Sequence, residues 1–343
     1  MKKILIRAYT EDNLGDDMFV EYLCQRYPLI QFYIFCKECY NAAFTKIKNL
    51  NILNIRDKID YNHFFLQIII GGSIFMQSVN KTVLKKFLLD KKMINMGIPT
   101  IIIGANFGPY KAKTFLYLYK FLFSKIKYIV FRDKYSYELF NLNNMNWAPD
   151  ILFNYNLPKV ASKNFICISP IKKTKRSGLD DYNEFLYFEK LIEIAETYSK
   201  LGFKILLASF SMSQQDNVAS SYIYDNLSQT TQSKTEMLNY TGNINFFLHR
   251  FLASTYIIGT RFHSIILGWN AGIPTFPICY NIKLQNAIDS YIFKGNYANI
   301  CDINNINFSF FDANRHNVNL IDKTYLRVES KKHFYELDKL LME

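Results

Sequence analysis

Short apolar segments alternate with amphipathic segments along almost the whole chain, and this alternation constrains the fold more than any other feature. In the first half the apolar segments are ILIRAYT, IQFYIFC, FLQIIIGG, PTIIIGANFG and YIVFRD. They are short, rich in β-branched residues and end at glycine or a polar residue, as strands buried on both faces of a sheet do. Segments with helical periodicity, such as GDDMFVEYLCQRYP and TVLKKFLLDKKMINMG, separate them. The pattern predicts a parallel sheet covered by helices on both sides.

A second series of the same kind follows a polar, proline-containing stretch, NYNLPKVASKN. Its predicted strands are FICISP, FKILLASF, STYIIGT and PTFPICY. Because 343 residues exceed one ordinary core and suit two domains of about 150 residues each, we predict two Rossmann-like, doubly wound domains of α/β class that face a cleft. Their expected ranges are 1–155 and 163–320, and 321–343 is expected to form a helix that packs back across the junction.

The formal charge of +12 favours anionic partners. Charge alone does not choose among nucleic acid, a phosphorylated metabolite and the acidic face of a membrane. No nucleic-acid-binding module is recognisable in the sequence, so nucleic acid is not expected as a partner. The six cysteines lack the spacing of a disulfide framework, and the CxxC formed by Cys36 and Cys39 lacks a second pair or suitably placed histidines. We therefore expect reduced thiols and no metal site.

The sequence contains neither a signal-like start nor about 18 consecutive apolar residues, which predicts a cytoplasmic chain without a transmembrane helix. One segment, AKTFLYLYKFLFSKIKYIVF, mixes lysines into an aromatic run with helical spacing. It has two interpretations, a helix of the core or a basic surface that docks on a membrane.

Ligands of doubly wound sheets bind beyond the carboxyl ends of the strands, so polar residues that follow strands are the candidates for a site. In the first half these candidates are Asn13, Gly15, Asp16 and Asp17 of NLGDD, Gly72 and Ser73 of GGSIF, Asn106 of GANFGP, Arg132 of YIVFRD and Asp150 of WAPDILF. Simpler explanations stay open, namely helix capping for NLGDD and, for Arg132, an ion pair with Asp133 or Asp150. No GxGxxG or GxxxxGK[ST] motif occurs at these turns, which argues against a dinucleotide site or a P-loop.

In the second half, Arg261 and His263 follow the strand STYIIGT, and Lys283 follows the strand PTFPICY. The order strand, turn, helix places Arg261 and His263 at a helix N-terminus, where the helix dipole favours an anion. A histidine there serves as a general acid or as a hydrogen-bond donor to phosphate. A purely structural histidine is the alternative at this point.

The ordered set NLGDD, GGSIF, GANFGP, FRDKYS, APDILF, GTRFHSIILGWNAGIP and YNIK resembles the polysaccharide pyruvyl transferase family, from residue 13 to about residue 283. The chain departs from the family pattern in three places. Ser73 stands where a third glycine is common, Ala105–Phe107 replace a Gln-Ser-Ile type of sequence, and Gln214 replaces a glutamate before Asp216.

The resemblance implies a fold similar to glycosyltransferase-B enzymes and transfer of the enolpyruvyl-derived unit of phosphoenolpyruvate to a sugar as a ketal. It implies that Arg132, Arg261, His263 and Lys283 contact phosphoenolpyruvate. We expect His263 to protonate C3 or to stabilise the leaving phosphate, with the two arginines holding the anionic groups and Lys283 neutralising the departing phosphate.

Asp16, Asp17 or Asp150 is expected to orient or deprotonate the acceptor hydroxyls. Phosphoenolpyruvate is a co-substrate, and no further cofactor is expected. The expected acceptor is a saccharide of a surface polysaccharide, carried on a lipid or a growing polymer, which would bring the enzyme to the inner face of the membrane. The alternatives are a nucleotide-sugar-dependent glycosyltransferase of the same fold and an inactive saccharide-binding protein.

Overall fold

The computed structural model describes residues 2–77, 82–174 and 181–342, which form two parallel sheets with helices on both faces. The strands of the first sheet are β1 (Lys3–Arg7), β2 (Gln31–Phe35), β3 (Leu50–Leu53), β4 (Leu66–Ile70), β5 (Thr100–Ala105), β6 (Tyr128–Phe131) and β7 (Met145–Trp147). Its helices are α1 (Leu14–Arg26), α2 (Val83–Ile94), α3 (Lys113–Phe123) and α4 (Lys134–Phe140). The spatial order is β3-β2-β1-β4-β5-β6-β7, so the direction of winding reverses between β1 and β4.

The second sheet has the same kind of winding. Its strands are β8 (Phe165–Ser169), β9 (Lys204–Ser209), β10 (Thr235–Asn239), β11 (Ser254–Gly259), β12 (Thr275–Cys279) and β13 (Ala298–Asn299). The helices that follow β8 are α5 (Glu184–Lys200), α6 (Asp216–Asp225), α7 (Gln229–Gln232), α8 (Ile244–Phe251), α9 (Phe262–Ala271), α10 (Ile282–Ser290), α11 (Phe308–Asp312), α12 (Lys323–Ser330) and α13 (Tyr335–Met342). The order β10-β9-β8-β11-β12-β13 reverses between β8 and β11. The predicted pair of doubly wound sheets is confirmed.

Central strands are buried along their whole length, as their uninterrupted apolar sequences indicate. Every residue of β4, β5, β8 and β12 is buried. One apolar cluster runs through both halves of the chain, since it joins Leu14 and Phe19 of α1 to Phe262 and Ile265 of α9. The two sheets therefore share a continuous core where α1 meets α9.

Sequence reasoning missed four strands, β3, β7, β10 and β13, and each of them is the edge strand of its sheet. An edge strand has a neighbour on one side only, and these four are partly exposed; all except β10 are also shorter than five residues. They consequently lack the two-sided apolar pattern by which the central strands are recognised.

The C-terminal segment differs from the single predicted helix, because a 3-10 turn at Lys331–Phe334 separates α12 from α13. Side chains at the break dock on the chain near residue 150: Ser330 Oγ donates to Asp150 O (2.8 Å), and His333 Nε2 donates to Pro149 O (2.8 Å). The segment contacts α1 through an Arg26–Asp338 ion pair at 2.7 Å. None of the described helices is long and apolar enough to cross a membrane.

The buried ring of His333 gives the fold a testable pH dependence. Burial lowers the pKa of His333 to about 4, whereas an unfolded chain binds this proton with a pKa near 6.5. The stabilising contribution of the neutral ring is complete above pH ~6.5 and is lost as the pH falls toward 4, amounting to about 3 kcal/mol. We expect urea unfolding of the wild type to show this loss relative to His333→Gln, which keeps a donor for Pro149 O. Parallel pH profiles of the two proteins would contradict it.

Candidate active site

A cavity of about 680 Å³ lies between the carboxyl ends of the two sheets, beside the point where each sheet reverses its winding. Its walls come from the segments after β1, β4 and β6 in the first sheet and after β9, β11 and β12 in the second. Open α/β sheets bind ligands at such reversal points. Eight residues predicted from the sequence line this cavity, namely Asn13, Asp16, Gly72, Ser73, Arg132, Arg261, His263 and Lys283.

Arg132 forms the floor of the cavity from the first sheet. It is buried, and its Nη1 pairs with Asp150 Oδ2 at 3.2 Å while its Nη2 donates to Asn106 Oδ1 at 2.9 Å. The guanidinium carbon lies 4.0 Å from the ring centre of Phe262, so the planar group is held on an aromatic face. Asp150 and Asn106 are therefore supports of Arg132 and do not line the cavity themselves.

Of the two carboxylates proposed as partners of Arg132, Asp133 has a different role. Its Oδ1 accepts from Ser136 N at 2.7 Å and so caps α4. Likewise Asn13 caps α1 by accepting from Gly15 N at 3.2 Å, as the capping explanation predicts, and it lines the cavity as well.

Arg261 enters the cavity from the second sheet, as the residue that precedes α9. Its guanidinium binds both carboxylate oxygens of Asp216, with an Nε to Oδ2 distance of 2.6 Å, and its Nη1 donates to Gln214 Oε1. Asp216 is fully buried as the first residue of α6. The fork of Arg261 is thus fixed in direction before any ligand arrives.

His263 stands in the first turn of α9, with its ring edge-on to Phe19 of α1 at a centroid distance of 5.2 Å. The residue is half-buried, and within the described parts of the chain its Nε2 is shielded from solvent without a hydrogen-bond partner. Burial, together with the charges of Arg132, Lys283 and Arg261, holds the pKa of His263 well below its usual range. The ring is consequently neutral near pH 7 when no anion is bound.

Lys283 joins the two halves of the chain across the cavity. Its Nζ donates to Ser73 Oγ at 2.5 Å, and Ser73 Oγ in turn donates to Asn106 Oδ1 at 3.2 Å. The lysine is presented by the first turn of α10, which Asn281 caps by accepting from Leu284 N at 3.2 Å. A third helix N-terminus therefore faces the cavity, beside those of α1 and α9.

Asp16 is a buried carboxyl group with an altered affinity for protons. Burial, with a contribution from Asp150, raises the pKa of Asp16 to about 7, although Arg132, Lys283 and a hydrogen bond from the Gly72 backbone act in the opposite direction. A group with a pKa near 7 can both donate and accept a proton at neutral pH.

Asp17, predicted as part of the site, instead ties the two halves together. Its Oδ2 accepts from Tyr240 OH at 2.7 Å, and it does not line the cavity. Burial raises the pKa of Asp17 well above its ordinary value. A backbone hydrogen bond from Leu14 N to Phe210 O at 3.1 Å crosses the same junction.

Two of the predicted glycines are required by close approach. A Cβ on Gly15 would lie 1.7 Å from His263 Nδ1, and a Cβ on Gly72 would lie 2.4 Å from Arg132 Nη2. Gly72 thus lines the cavity, whereas Gly15 does not line it and packs against the His263 ring that does. Glycine at these positions lets α1 and the turn after β4 touch the two side chains directly.

Sequence reasoning did not single out Arg7 or Tyr9, which also line the cavity, and it included Tyr280 only as the first residue of the YNIK motif. Arg7 is the last residue of β1, and its guanidinium carbon lies 4.7 Å from the ring centre of Phe35. The sequence analysis looked for polar residues that follow strands, so it missed Arg7, which lies within one. Tyrosine is too common in this chain, with 25 copies, for single ones to stand out.

The chain matches the family model described as polysaccharide pyruvyl transferase over residues 12–281, more than three quarters of its length. That range includes every residue discussed above for the cavity wall except Arg7, Tyr9 and Lys283. No curated protein sequence matches the chain significantly.

Among solved structures, the chain is similar to Anabaena Alr3699/HepE in complex with UDP and glucose, with 8% identity, a TM-score of 0.58 and coverage of 100% of this chain and 98% of that one. It is also similar to the UDP-GlcNAc 2-epimerases of Neisseria meningitidis (10% identity, TM-score 0.61, 100% of both chains) and Methanocaldococcus jannaschii (11%, 0.61, 99% of both). At these identities the likeness shows the fold, and the predicted glycosyltransferase-B-like architecture is confirmed.

The contact between Gly15 and His263 leads to a prediction about stability. Gly15→Ala is expected to destabilise the protein by about 1–3 kcal/mol, because the new methyl group overlaps the imidazole ring. In a His263→Ala background the same substitution is expected to cost much less, since the ring is gone. Urea unfolding of the four proteins of this cycle measures the coupling. Equal effects of Gly15→Ala in both backgrounds would contradict the contact.

Proposed function

Because the chain belongs to the polysaccharide pyruvyl transferase family, we propose that its cavity binds phosphoenolpyruvate and that the enzyme forms a pyruvate ketal on two hydroxyls of a saccharide. The observation that carries this proposal is the convergence of Arg132, Arg261 and Lys283 on one cavity. Phosphoenolpyruvate bears a phosphate and a carboxylate, about three negative charges, and such a ligand requires several cations when water is largely excluded.

The two anionic groups would be held by different parts of the site. The phosphate would lie at the start of α9, against Arg261 and Lys283, because helix N-termini favour phosphate. The carboxylate would lie against Arg132, whose orientation is fixed by Asp150 and Asn106. This arrangement leaves the C2–C3 double bond between the two halves of the protein.

Asp16 is better suited than His263 to donate the proton that C3 receives. The pKa of Asp16 is about 7, and a nearby anion would raise it further, so the acid form would persist with phosphoenolpyruvate bound. The neutral His263 is suited to accept the proton of the first attacking hydroxyl. The substrate's negative charge offsets the cations that depress the pKa of His263, which favours this transfer.

The proton balance closes without another reagent. Asp16 gives its proton to C3 as the first hydroxyl oxygen bonds to C2, and His263 takes the hydroxyl proton. The bond from C2 to the phosphate oxygen then breaks, and His263 gives its proton to the departing phosphate. The second hydroxyl oxygen bonds to C2 and returns a proton to Asp16. The products are the ketal and inorganic phosphate, and both side chains recover their starting states.

Product analysis tests the donor and the reaction. The protein is incubated with a panel of acceptor glycosides and either phosphoenolpyruvate or nucleotide sugars, and products are examined by mass spectrometry and NMR. We expect phosphoenolpyruvate to give a product heavier by one pyruvate ketal, with release of phosphate. A product heavier by one hexose, formed only with a nucleotide sugar, would overturn the proposal in favour of a glycosyltransferase.

Asp16→Asn tests the proton donor. The amide retains the shape of the acid but has no transferable proton, so kcat is expected to fall about 10²–10⁴-fold, with little change in phosphoenolpyruvate affinity by calorimetry. For the wild type, kcat/KM is expected to fall as the pH rises through about 7, because the acid form of Asp16 is required.

Asp17→Asn is the matched control, since this neighbouring buried carboxyl is held by Tyr240 and lies outside the cavity wall. Its kcat is expected to stay close to that of the wild type. A normal kcat for Asp16→Asn, or an equal loss in both variants, would contradict the assignment.

A further inference from the structure

The outer surface of α2 and α3 combines exposed apolar side chains with lysines, and we call it the α2/α3 face. Its apolar members are Leu84, Leu88 and Leu89 of α2 and Tyr117 and Phe121 of α3, with exposed fractions of 58%, 51%, 45%, 68% and 58%. Soluble domains expose single apolar residues routinely, but a contiguous exposed apolar patch usually marks an interaction site.

The two helices lie side by side on the same side of the first sheet. Their inner residues, among them Phe87 of α2 and Phe115 and Tyr119 of α3, share one buried apolar cluster. Phe87 and Tyr119 are in edge-on ring contact at 6.0 Å between centroids. Because the inner sides are occupied in this way, the opposite sides of the helices point outward together.

Helical spacing gathers the exposed residues into two stripes. Leu84 and Leu88 are four residues apart on α2, and Tyr117 and Phe121 are four apart on α3. Residues at this spacing are neighbours on a helix surface. One side of α3 belongs to the core, as the first interpretation of its sequence predicted, and its other side is exposed, which membrane docking would require.

Lysines accompany these stripes, and residues 82–127 supply no exposed acid to compensate them. Between residues 82 and 127 the chain has nine lysines and a single acidic residue, Asp90, against a formal charge of +12 for all 343 residues. Asp90 is buried and bonded to Lys86 and Tyr119. Lys85 and Lys120 are exposed and stand within one helical turn of the apolar stripes.

We propose that the α2/α3 face docks on the surface of an anionic phospholipid membrane. The apolar side chains enter the boundary between headgroups and acyl chains, and the lysines lie at the phosphate level, as in interfacial amphipathic helices. The combination of charge and apolar surface favours this occupant, because lipid phosphates pair with the lysines while acyl chains receive the apolar side chains. An uncharged apolar partner would gain nothing from the lysines, and the face offers a basic partner no exposed carboxylate between residues 82 and 127.

The α2/α3 face begins close to the cavity. Lys86 Nζ donates to Ile74 O at 3.3 Å, and Ile74 lines the cavity. Docking would therefore hold at the membrane a helix that contacts the cavity wall, on the surface where a saccharide carried on a lipid would be presented. Docking itself does not depend on the proposed reaction, so it is tested without turnover.

Sedimentation with vesicles tests the proposal on the full chain. Vesicles of phosphatidylcholine alone are compared with vesicles of equal parts phosphatidylcholine and phosphatidylglycerol, at low and high salt. We expect binding to the anionic vesicles, weakened by salt. The double variant Leu88→Glu/Phe121→Glu is expected to bind at least ~10-fold more weakly, and each exposed lysine replaced by glutamine to cost about fivefold.

Phe185→Glu is the matched control, because Phe185 is 57% exposed on α5 in the other half of the protein. It is expected to bind vesicles like the wild type, and thermal unfolding verifies that all variants are folded. Absence of wild-type binding to anionic vesicles at low salt would overturn the proposal, as would undiminished binding by the double variant. A wild-type dimer that the double variant converts to a monomer, without vesicle binding, would identify a self-association surface instead.

Discussion

The contact between the N-terminus of α1 and the first turn of α9 is the constraint on which the site depends. It brings the backbone at Gly15 against the ring of His263, and so joins the carboxyl ends of the two sheets at their reversal points. Both helices present the positive ends of their dipoles to the same narrow region. These two helix ends, the N-terminus of α10 and the side chains of Arg132, Arg261 and Lys283 repel one another, so the closed arrangement requires negative charge nearby.

Buried carboxylates supply that charge in fixed positions. Asp150 compensates Arg132 and Asp216 compensates Arg261, and each acid is fully buried behind its arginine. The pairs leave the cationic groups oriented toward the cavity. Two other ionisable groups, Asp16 and His263, favour their neutral forms because burial disfavours the charged ones. Burial raises the pKa of the acid and lowers that of the base. Below pH ~7, and before a ligand binds, Asp16 is therefore mainly protonated, whereas His263 stays neutral over more of the acidic range than an ordinary histidine.

Sequence reasoning located most of the cavity wall because a parallel sheet forces the residues that follow its strands to one edge. This rule brings Arg261 and Lys283 together in the second sheet, whereas Arg132 follows a strand of the first sheet and was grouped with them through the resemblance to the family. Their partners could not be recognised. Asp216 reaches Arg261 from 45 residues away. From the sequence, Asp133 and Asp150 were equivalent candidates for an ion pair with Arg132. In the structure Asp133 caps α4 and Asp150 pairs with Arg132. Such choices depend on side-chain direction and distance, which no periodicity encodes.

Two departures from the family pattern change the groups that hold the cations of the cavity, one by adding a hydroxyl and one by removing a negative charge. Ser73, where a glycine is common, supplies the hydroxyl that receives Lys283 across the junction. Gln214, where a glutamate is common, accepts from Arg261 through a neutral oxygen, so that Asp216 is the one carboxylate bound to this arginine among the described residues. The first change adds a tie between the two halves, and the second leaves more uncompensated positive charge at the start of α9. Both changes act on Lys283 and Arg261, the side chains proposed to bind the anionic co-substrate. They therefore affect how strongly an anion is held and leave the contact between α1 and α9 unchanged.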